Sequence, residues 1–408
     1  MNAVGIDVSK GKSMIAVVRP FGEVVATPYE VRHTASELRD LAKSLRSLDG
    51  ETRVILEHTG RYYEPVAQIL SNAGVFVSAV NPLLIKEYGN NSIRKVKTDK
   101  ADALKIARYG LDNWAELREH TTVDKLREQL KILNRQYSLY LKNKTAFKNN
   151  LVALLDQSFP GANTYFCSPV REDGSQKWVD FAATFWHVDC VRGLSQSAFT
   201  GRYRKWCKRH GYNFNAATVV EICEDAKELV PTLPKNESTK ILLTEAVSQL
   251  NAISRTTEVL RSEMNRVAQV LPEYEVVMSM YGVGPSLGPQ LMAEIGNVSR
   301  FAHRGSLTAF AGIDPMPSQS GKSERQSNPS SKRGSPYLRK SLFLVMSCLL
   351  QNSPPNDTVY QFLNKKRSEG KPYYVYMTAG ANKFLRIYYG KVNEYFRSLN
   401  DATEAPLA

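Results

Sequence analysis

Four acidic residues within the first 102 positions have the types and spacing for metal-dependent chemistry. Asp7 sits in GIDVSK, Glu57 in VILEHTG, and Asp99 and Asp102 in KTDKADALKIA. The three-residue step between the last two puts both on one side of a helix. If the strands carrying Asp7 and Glu57 are parallel neighbours, the sheet brings those two carboxylates together. A helix packed on that edge then adds Asp99 and Asp102. Like charges at close range repel and raise each other's pKa. Hard cations relieve this, and Mg²⁺ takes carboxylates while keeping several waters. Two such ions clamp the attacking and leaving oxygens of a phosphodiester. Each acid also has an ordinary reading: Asp99 as an N-cap, Asp102 as a solvated helix residue, and the others as strand-end acids. As a set, in this order, they are much less ordinary.

A second group lies in FAGIDPMPSQSGKSERQSNPSSKRGSPYLRK, residues 310–340. Ser320 precedes Gly321, which permits close approach of the backbone to a phosphate. Between 321 and 340 stand six basic residues, Lys322, Arg325, Lys332, Arg333, Arg339 and Lys340, against one acid, Glu324. A hydroxyl attacking phosphorus needs activation and positive charge around the developing oxyanions. Composition alone favours a solvated Ser-rich linker that merely touches phosphates. A third group, YEVVMSMYGVGPSLGPQLMAEIG (274–296), reads as helix, Gly-Val-Gly hairpin and helix, with Pro285 in the first turn of the second helix. Amides near Gly282 and Gly284 could hold a phosphate there; the alternative is a packing hairpin. Gly282, Gly284 and Gly288 do not have dinucleotide-fingerprint spacing, and no acidic ribose partner follows.

The elements that must position these residues follow from pattern. VGIDVSK, SMIAVVR and GEVVATPYEV read as strands, with Gly11 and Gly22 at the turns. A helix capped by Thr34 carries Leu38, Leu41, Leu45 and Leu48. RVILE and VFVSAV are further strands, separated by a helix over 62–72 and followed by one over 99–109. Together these predict a mixed α/β sheet. Residues 123–158 then read as a long helix with seven basic residues between 125 and 148 (Lys125, Arg127, Lys131, Arg135, Lys142, Lys144, Lys148) and one acid, Glu128. Its expected coiled-coil partner is 237–271, where Ile241, Leu242, Val247, Leu250, Ile253 and Leu260 recur.

The intervening 159–234 reads as a small helical insertion containing GRYRKWCKRH. Its His187-x-x-Cys190 and Cys207-x-x-His210 have a zinc-like spacing, although a structural role is favoured. The tyrosines of 373–396 have helical spacing and read as core packing rather than base stacking.

The chain has 408 residues, with Lys plus Arg 54 against Asp plus Glu 40, a net charge of +14. That excess favours polyanionic partners, nucleic acid first. No run reaches the roughly 18 apolar residues of a membrane span, and no signal core opens the chain. The expectation is a cytoplasmic protein without a membrane partner. Five cysteines in a chain this long do not describe a disulfide scaffold.

With GIDVSK, LEHTG, KTDKADA and the run from YGVGP through AGIDPMPSQSGK to SKRGSPYLRK on the page, the chain resembles a DEDD transposase of the insertion-sequence 110 family, which includes Piv-type DNA invertases. The resemblance covers about 1–158 and 237–398. It implies a RuvC-like (RNase H-type) α/β sheet over 1–120 and coiled-coil helices over 121–271, interrupted by the 159–234 insertion. A mainly helical transposase domain with a helix-hairpin-helix would occupy 272–398, and 399–408 would be a flexible tail. It maps the metal-binding acids to Asp7, Glu57, Asp99 and Asp102, with Mg²⁺ as two ions or one per site, and the nucleophile to Ser320.

The resemblance further implies a covalent phosphoserine link to DNA at element ends and target. A structured bridge-type guide RNA and a homo-oligomer, dimer or tetramer, are implied with it. Phosphate contacts fall to Gly282, Gly284, Gly321, Lys322, Arg325, Lys332, Arg333 and Arg339. Many relatives have two glycines after the serine and this chain has one, which leaves Ser318 and Ser323 as alternatives. The Ser-Gly pair favours Ser320. The rival activity is a hydrolytic nuclease or junction resolvase using the same four acids with water; a binding protein without catalysis is the other alternative.

Overall fold

The computed structural model describes residues 1–57, 62–88, 98–120, 125–315, 319–320, 323–324 and 329–404. The chain forms two compact units, Met1–Val123 and Asp124–Ala408.

In the first unit the β-branched runs form β1 (Asn2–Ser9), β2 (Lys12–Val18) and β3 (Val24–Arg32), joined as an antiparallel meander. There follow α1 (Ala35–Arg46), β4 (Thr52–Glu57), α2 (Glu64–Asn72), β5 (Phe76–Val80), α3 (Pro82–Glu87) and α4 (Asp99–Asp112). β4 pairs parallel with β1 and β5 parallel with β4, so the sheet order is β3-β2-β1-β4-β5. A meander extended by parallel strands through a helical crossover is the RNase H-type arrangement expected. Strand alternation gives each face its own cover. Val4, Ile6, Val54 and Leu56 pack with Leu38, Leu41, Val66 and Leu70 of α1 and α2. On the other face Ala3 and Ile55 pack with Ile106 of α4.

Two caps set the helix starts. Thr34 Oγ1 accepts from the Glu37 amide, and Thr98 Oγ1 from the Ala101 amide. Thr98, not Asp99, is therefore the cap of α4. Asp99 and Asp102 occupy its first turn, where the helix dipole favours negative charge.

The second unit is helical. It opens with α5 (Lys125–Ser158), followed by α6 (Lys177–Thr184), α7 (Asp189–Arg192), α8 (Gln196–His210) and α9 (Ala216–Glu228) of the insertion. Then come α10 (Glu237–Gln269), α11 (Tyr274–Met278), α12 (Leu287–Ile295) and α13 (Arg304–Ala311), the two-residue strands β6 (Gln319–Ser320) and β7 (Ser323–Glu324), and α14 (Pro336–Asn352), α15 (Thr358–Ser368) and α16 (Tyr373–Glu404).

Helices α5 and α10 run side by side in opposite directions, as one core at each end shows. Leu130 and Tyr137 pack with Met264, Val267 and the helices α11–α16, whereas Leu151 and Leu155 pack with Leu243, Val247, Leu250 and the insertion. The inward face of α10 differs from the expected one. Leu243 is buried, while Ile241 and Leu242 are about half exposed, because the helix turns on Thr239, Leu243, Val247 and Leu250. Two of the seven cations of α5 also turn inward: Arg127 makes a bidentate pair with buried Glu273, and Arg135 pairs with buried Glu294. α16 continues to Glu404, so residues 399–404 of the expected tail are helical. Its tyrosines divide: Tyr388 is fully buried, and Tyr373 and Tyr374 are exposed.

Candidate metal centre and serine hairpin

The acids of the first unit are positioned by register. β1 and β4 pair from Asn2–Thr52 to Ile6–Leu56, so the next step along the two parallel strands carries Asp7 and Glu57. Alternation turns both toward the α4 face, with Ala3, Gly5 and Ile55. Helix α4 can lie there because residue 5 is glycine. A Cβ at Gly5 would stand 2.1 Å from the Ala103 carbonyl oxygen and 2.4 Å from the Ala107 nitrogen. That close approach seats the first turn of α4, and with it Asp102, over the end of β1.

The electrostatics follow. Burial first, then the charges of Asp7 and Asp102, push the Glu57 carboxyl above its usual range, and Lys105 opposes them. Asp99 stands apart. It is exposed and its field reaches Lys12, whose ammonium is raised chiefly by its hydrogen bond and charge pairing with Glu30. Glu57 thus feels both Asp7 and Asp102, whereas Asp99 is not among the charges that raise it. Among the described residues no three such side chains close on a single metal-holding point. The converging charges nevertheless suit a hard divalent cation, which would relieve the repulsion that raises Glu57. Sequence reasoning missed Lys105, three residues beyond Asp102, whose charge opposes the rise at Glu57.

In the second unit Ser320 ends β6. β6 and β7 are antiparallel, with Gln319 opposite Glu324 and Ser320 opposite Ser323. Ser320 and its alternative Ser323 are therefore backbone partners in one ladder; Gly321, Lys322, Arg325 and Ser318 lie outside the described residues. The neck of this segment is tied. Ser335 donates its amide to Phe310, Lys332 to Gly312 and Ser331 to Asp314, and Pro315 bridges Ser330. Arg339, expected to hold phosphate, donates instead through Nη1 to the carbonyls of Ala311 (3.0 Å) and Gly334 (3.2 Å), one on each side of the neck. Lys332 and Arg333 are exposed beside it.

Beneath the neck lies a buried polar cluster that sequence reasoning missed. Glu294 accepts from Asn134 Nδ2 (2.8 Å), Arg135 Nη2 (2.8 Å) and Ser335 Oγ (2.9 Å). Ser335 is also the N-cap of α14, and the Arg135 guanidinium lies 3.6 Å from the centre of the Tyr337 ring. The signal was present: Gln290 and Glu294 are the polar positions in an otherwise apolar helix with every residue buried.

Residues 4–160 match the DEDD IS110 transposase family, and residues 274–361 match the transposase IS116/IS110/IS902 family. The chain belongs to the IS110 transposase family. It is a DNA recombinase of the transposase class. Among curated relatives it is 21% identical over 98% of its length to the insertion element IS110 43.6 kDa protein of Streptomyces coelicolor, covering 94% of that protein. It is also 21% identical, over 84% of its length and 80% of the relative's, to the pilin gene-inverting protein of Moraxella bovis. Among solved structures, RuvC of Thermus thermophilus in complex with a Holliday junction substrate aligns with 28% of this chain and 96% of its own at 16% identity, with a TM-score of 0.23.

Two further expectations meet the geometry of the transposase. In the hairpin, the Gly284 carbonyl accepts from both Leu287 and Gly288, so a helical turn does open at Pro285. Gly282 (φ +77°) is pressed on α14, where a Cβ would lie 3.0 Å from the Val345 carbonyl oxygen and from Leu349 Cγ, whereas the Cβ side of Gly284 is open. Of the two, Gly284 retains room for a ligand. The zinc-spaced residues of the insertion are engaged elsewhere. His187 uses both ring nitrogens, on the Asp189 amide (3.1 Å) and the Leu233 carbonyl (3.0 Å). His210 stacks with Tyr212 and lies tilted beside Trp206, and among the described residues these four form no metal-holding group.

Proposed function

We propose that this transposase cuts and rejoins DNA through a covalent phosphoserine link, with Ser320 as nucleophile and Asp7, Glu57, Asp99 and Asp102 as ligands for Mg²⁺. The observation that carries the reading is the parallel register that ends adjacent strands on Asp7 and Glu57, with Glu57 raised by burial and by the charges of Asp7 and Asp102. Bound Mg²⁺, as two ions or one per site, supplies charge neutralisation to the phosphate undergoing exchange. In the reaction the Ser320 oxygen bonds to phosphorus as the bond to one strand's oxygen breaks. The proton leaving the serine is balanced by one gained at the departing hydroxyl. Rejoining is the reverse attack by a new strand's hydroxyl, which frees the serine. Lys332 and Arg333, exposed at the neck, hold phosphates without reading sequence; Lys322 and Arg325 share that role.

A structured guide RNA from the element and a homo-oligomeric assembly complete the proposal. The +14 net charge and the exposed Lys125, Lys142 and Lys148 of α5 support a polyanionic partner. Covalent trapping tests the reading. Protein, Mg²⁺, nicked element-end DNA and RNA from the element's flanks are combined and resolved on a denaturing gel, with and without protease. Wild type is expected to give a protease-sensitive DNA adduct, absent from Ser320→Ala and from Asp7→Ala. Free cleaved ends from Ser320→Ala, with no adduct in any lane, would leave a water-using nuclease instead.

A further inference from the structure

The insertion contains a cavity that the transposase chemistry does not use. It has a volume of about 470 Å³, within the range of small-ligand pockets. Arg202, Lys205 and Arg209 line it from α8 at helical spacing, and Lys235 lines it from the segment before α10. All four are exposed. The acid in the lining is Asp189, which Arg192 already engages at 3.1 Å. No described carboxylate pairs with Arg202, Lys205 or Arg209 at salt-bridge distance. The lining between them is apolar, with Leu194 and the little that buried Phe185 and Trp206 expose at the edge of the aromatic core of the insertion. Cations on the rim of an apolar concavity match a ligand that is anionic at one end and apolar at the other.

We propose that this cavity takes an unstacked nucleotide of a single-stranded nucleic acid, with phosphates on Arg202, Lys205, Arg209 and Lys235 and the base in the apolar part of the lining beside Leu194, Phe185 and Trp206. A duplex keeps its bases inside the stack and cannot offer one to a concave floor, whereas a single strand can. The inference does not depend on Ser320. Equilibrium binding of short mixed-sequence strands is not read by adduct formation, so either reading can fail alone.

The test uses the full chain and fluorescence anisotropy over a range of KCl concentrations, with single-stranded DNA, single-stranded RNA and duplex DNA of equal length. For single strands the slope of log K against log salt is about 0.7 per phosphate contact. The Arg202→Ala/Lys205→Ala/Arg209→Ala variant is therefore expected to lose about 2 from that slope, and about 100-fold in affinity near 0.1 M salt. Lys235→Ala, on a different segment, is expected to lose about 0.7. Whichever of the DNA and RNA arms shows the loss identifies the strand. Lys208→Ala, exposed on the same helix but outside the cavity, is the control and is expected to keep the wild-type slope. An unchanged slope in the triple variant overturns the proposal. So does an equal loss on duplex, or a Lys208→Ala effect as large as that of Lys235→Ala.

Discussion

Asp7 and Glu57 are placed by the register of a sheet, and the neck of the serine hairpin by a handful of local contacts. The two acids stand one step past a five-pair parallel register, on strands buried on both faces. Ser320 stands on a two-residue strand. Its described support is a neck held by backbone bonds, spanned by Arg339 and resting on Glu294 through Ser335. A sheet fixes a carboxylate because a register slip would turn every core residue outward. A clamped neck is fixed by a few backbone bonds and two side-chain ties, so the loss of one contact is felt there more than in a sheet.

The largest effect that would sharpen this contrast is expected from Glu294→Ala. It leaves buried Asn134 and half-buried Ser335 without their acceptor and part-exposed Arg135 without its partner, and each buried polar group so left costs about 1–3 kcal/mol. Denaturant unfolding should show the loss in the helical unit. Trapping should show a fallen adduct yield, while Mg²⁺ still stabilises the sheet unit. Next comes Gly5→Ala. Its methyl group meets the backbone of α4 at about 2 Å, and overpacking costs about 1–3 kcal/mol. The sheet unit should melt lower and lose its Mg²⁺-induced rise in melting temperature. If Gly5→Ala left that rise intact, the seating of α4 would not place Asp102.

The smallest effect concerns pH. Glu57 is raised in the folded state, so the fold binds that proton more tightly than the unfolded chain and is destabilised as pH rises through the carboxyl range. In chelator, Glu57→Gln is expected to be more stable than wild type at pH 8. The difference should close as pH falls from the raised value to the ordinary one, and adding Mg²⁺ should reverse it at pH 8. A constant difference across that window would mean that burial and the neighbouring acids do not raise the Glu57 carboxyl in the fold.

Much of this was legible in the sequence where a local rule decides it. Gly11 and Gly22 punctuate the meander, Thr34 caps α1, and the D-x-x-D step places both acids in one helical turn. What escaped depends on distant partners. The inward face of α10 is set by what α5 and the insertion offer, so Ile241 and Leu242, apolar by type, face outward. Arg127 and Arg135 look like members of a basic surface until Glu273 and Glu294, more than 140 residues away, claim them. The tie that Arg339 makes across the neck is hidden in the sequence, because composition does not show which carbonyls a cation will meet.

The paired helices α5 and α10 carry one core at each end. At about 1.5 Å per residue, the 34 residues of α5 measure about 50 Å, close to fifteen base pairs of duplex at about 3.4 Å each. The pair is a spacer of fixed length. Whatever strand the insertion grips is held at a measured remove from the core under the serine hairpin, and adding or removing helical turns in matched positions would change that interval without touching either end.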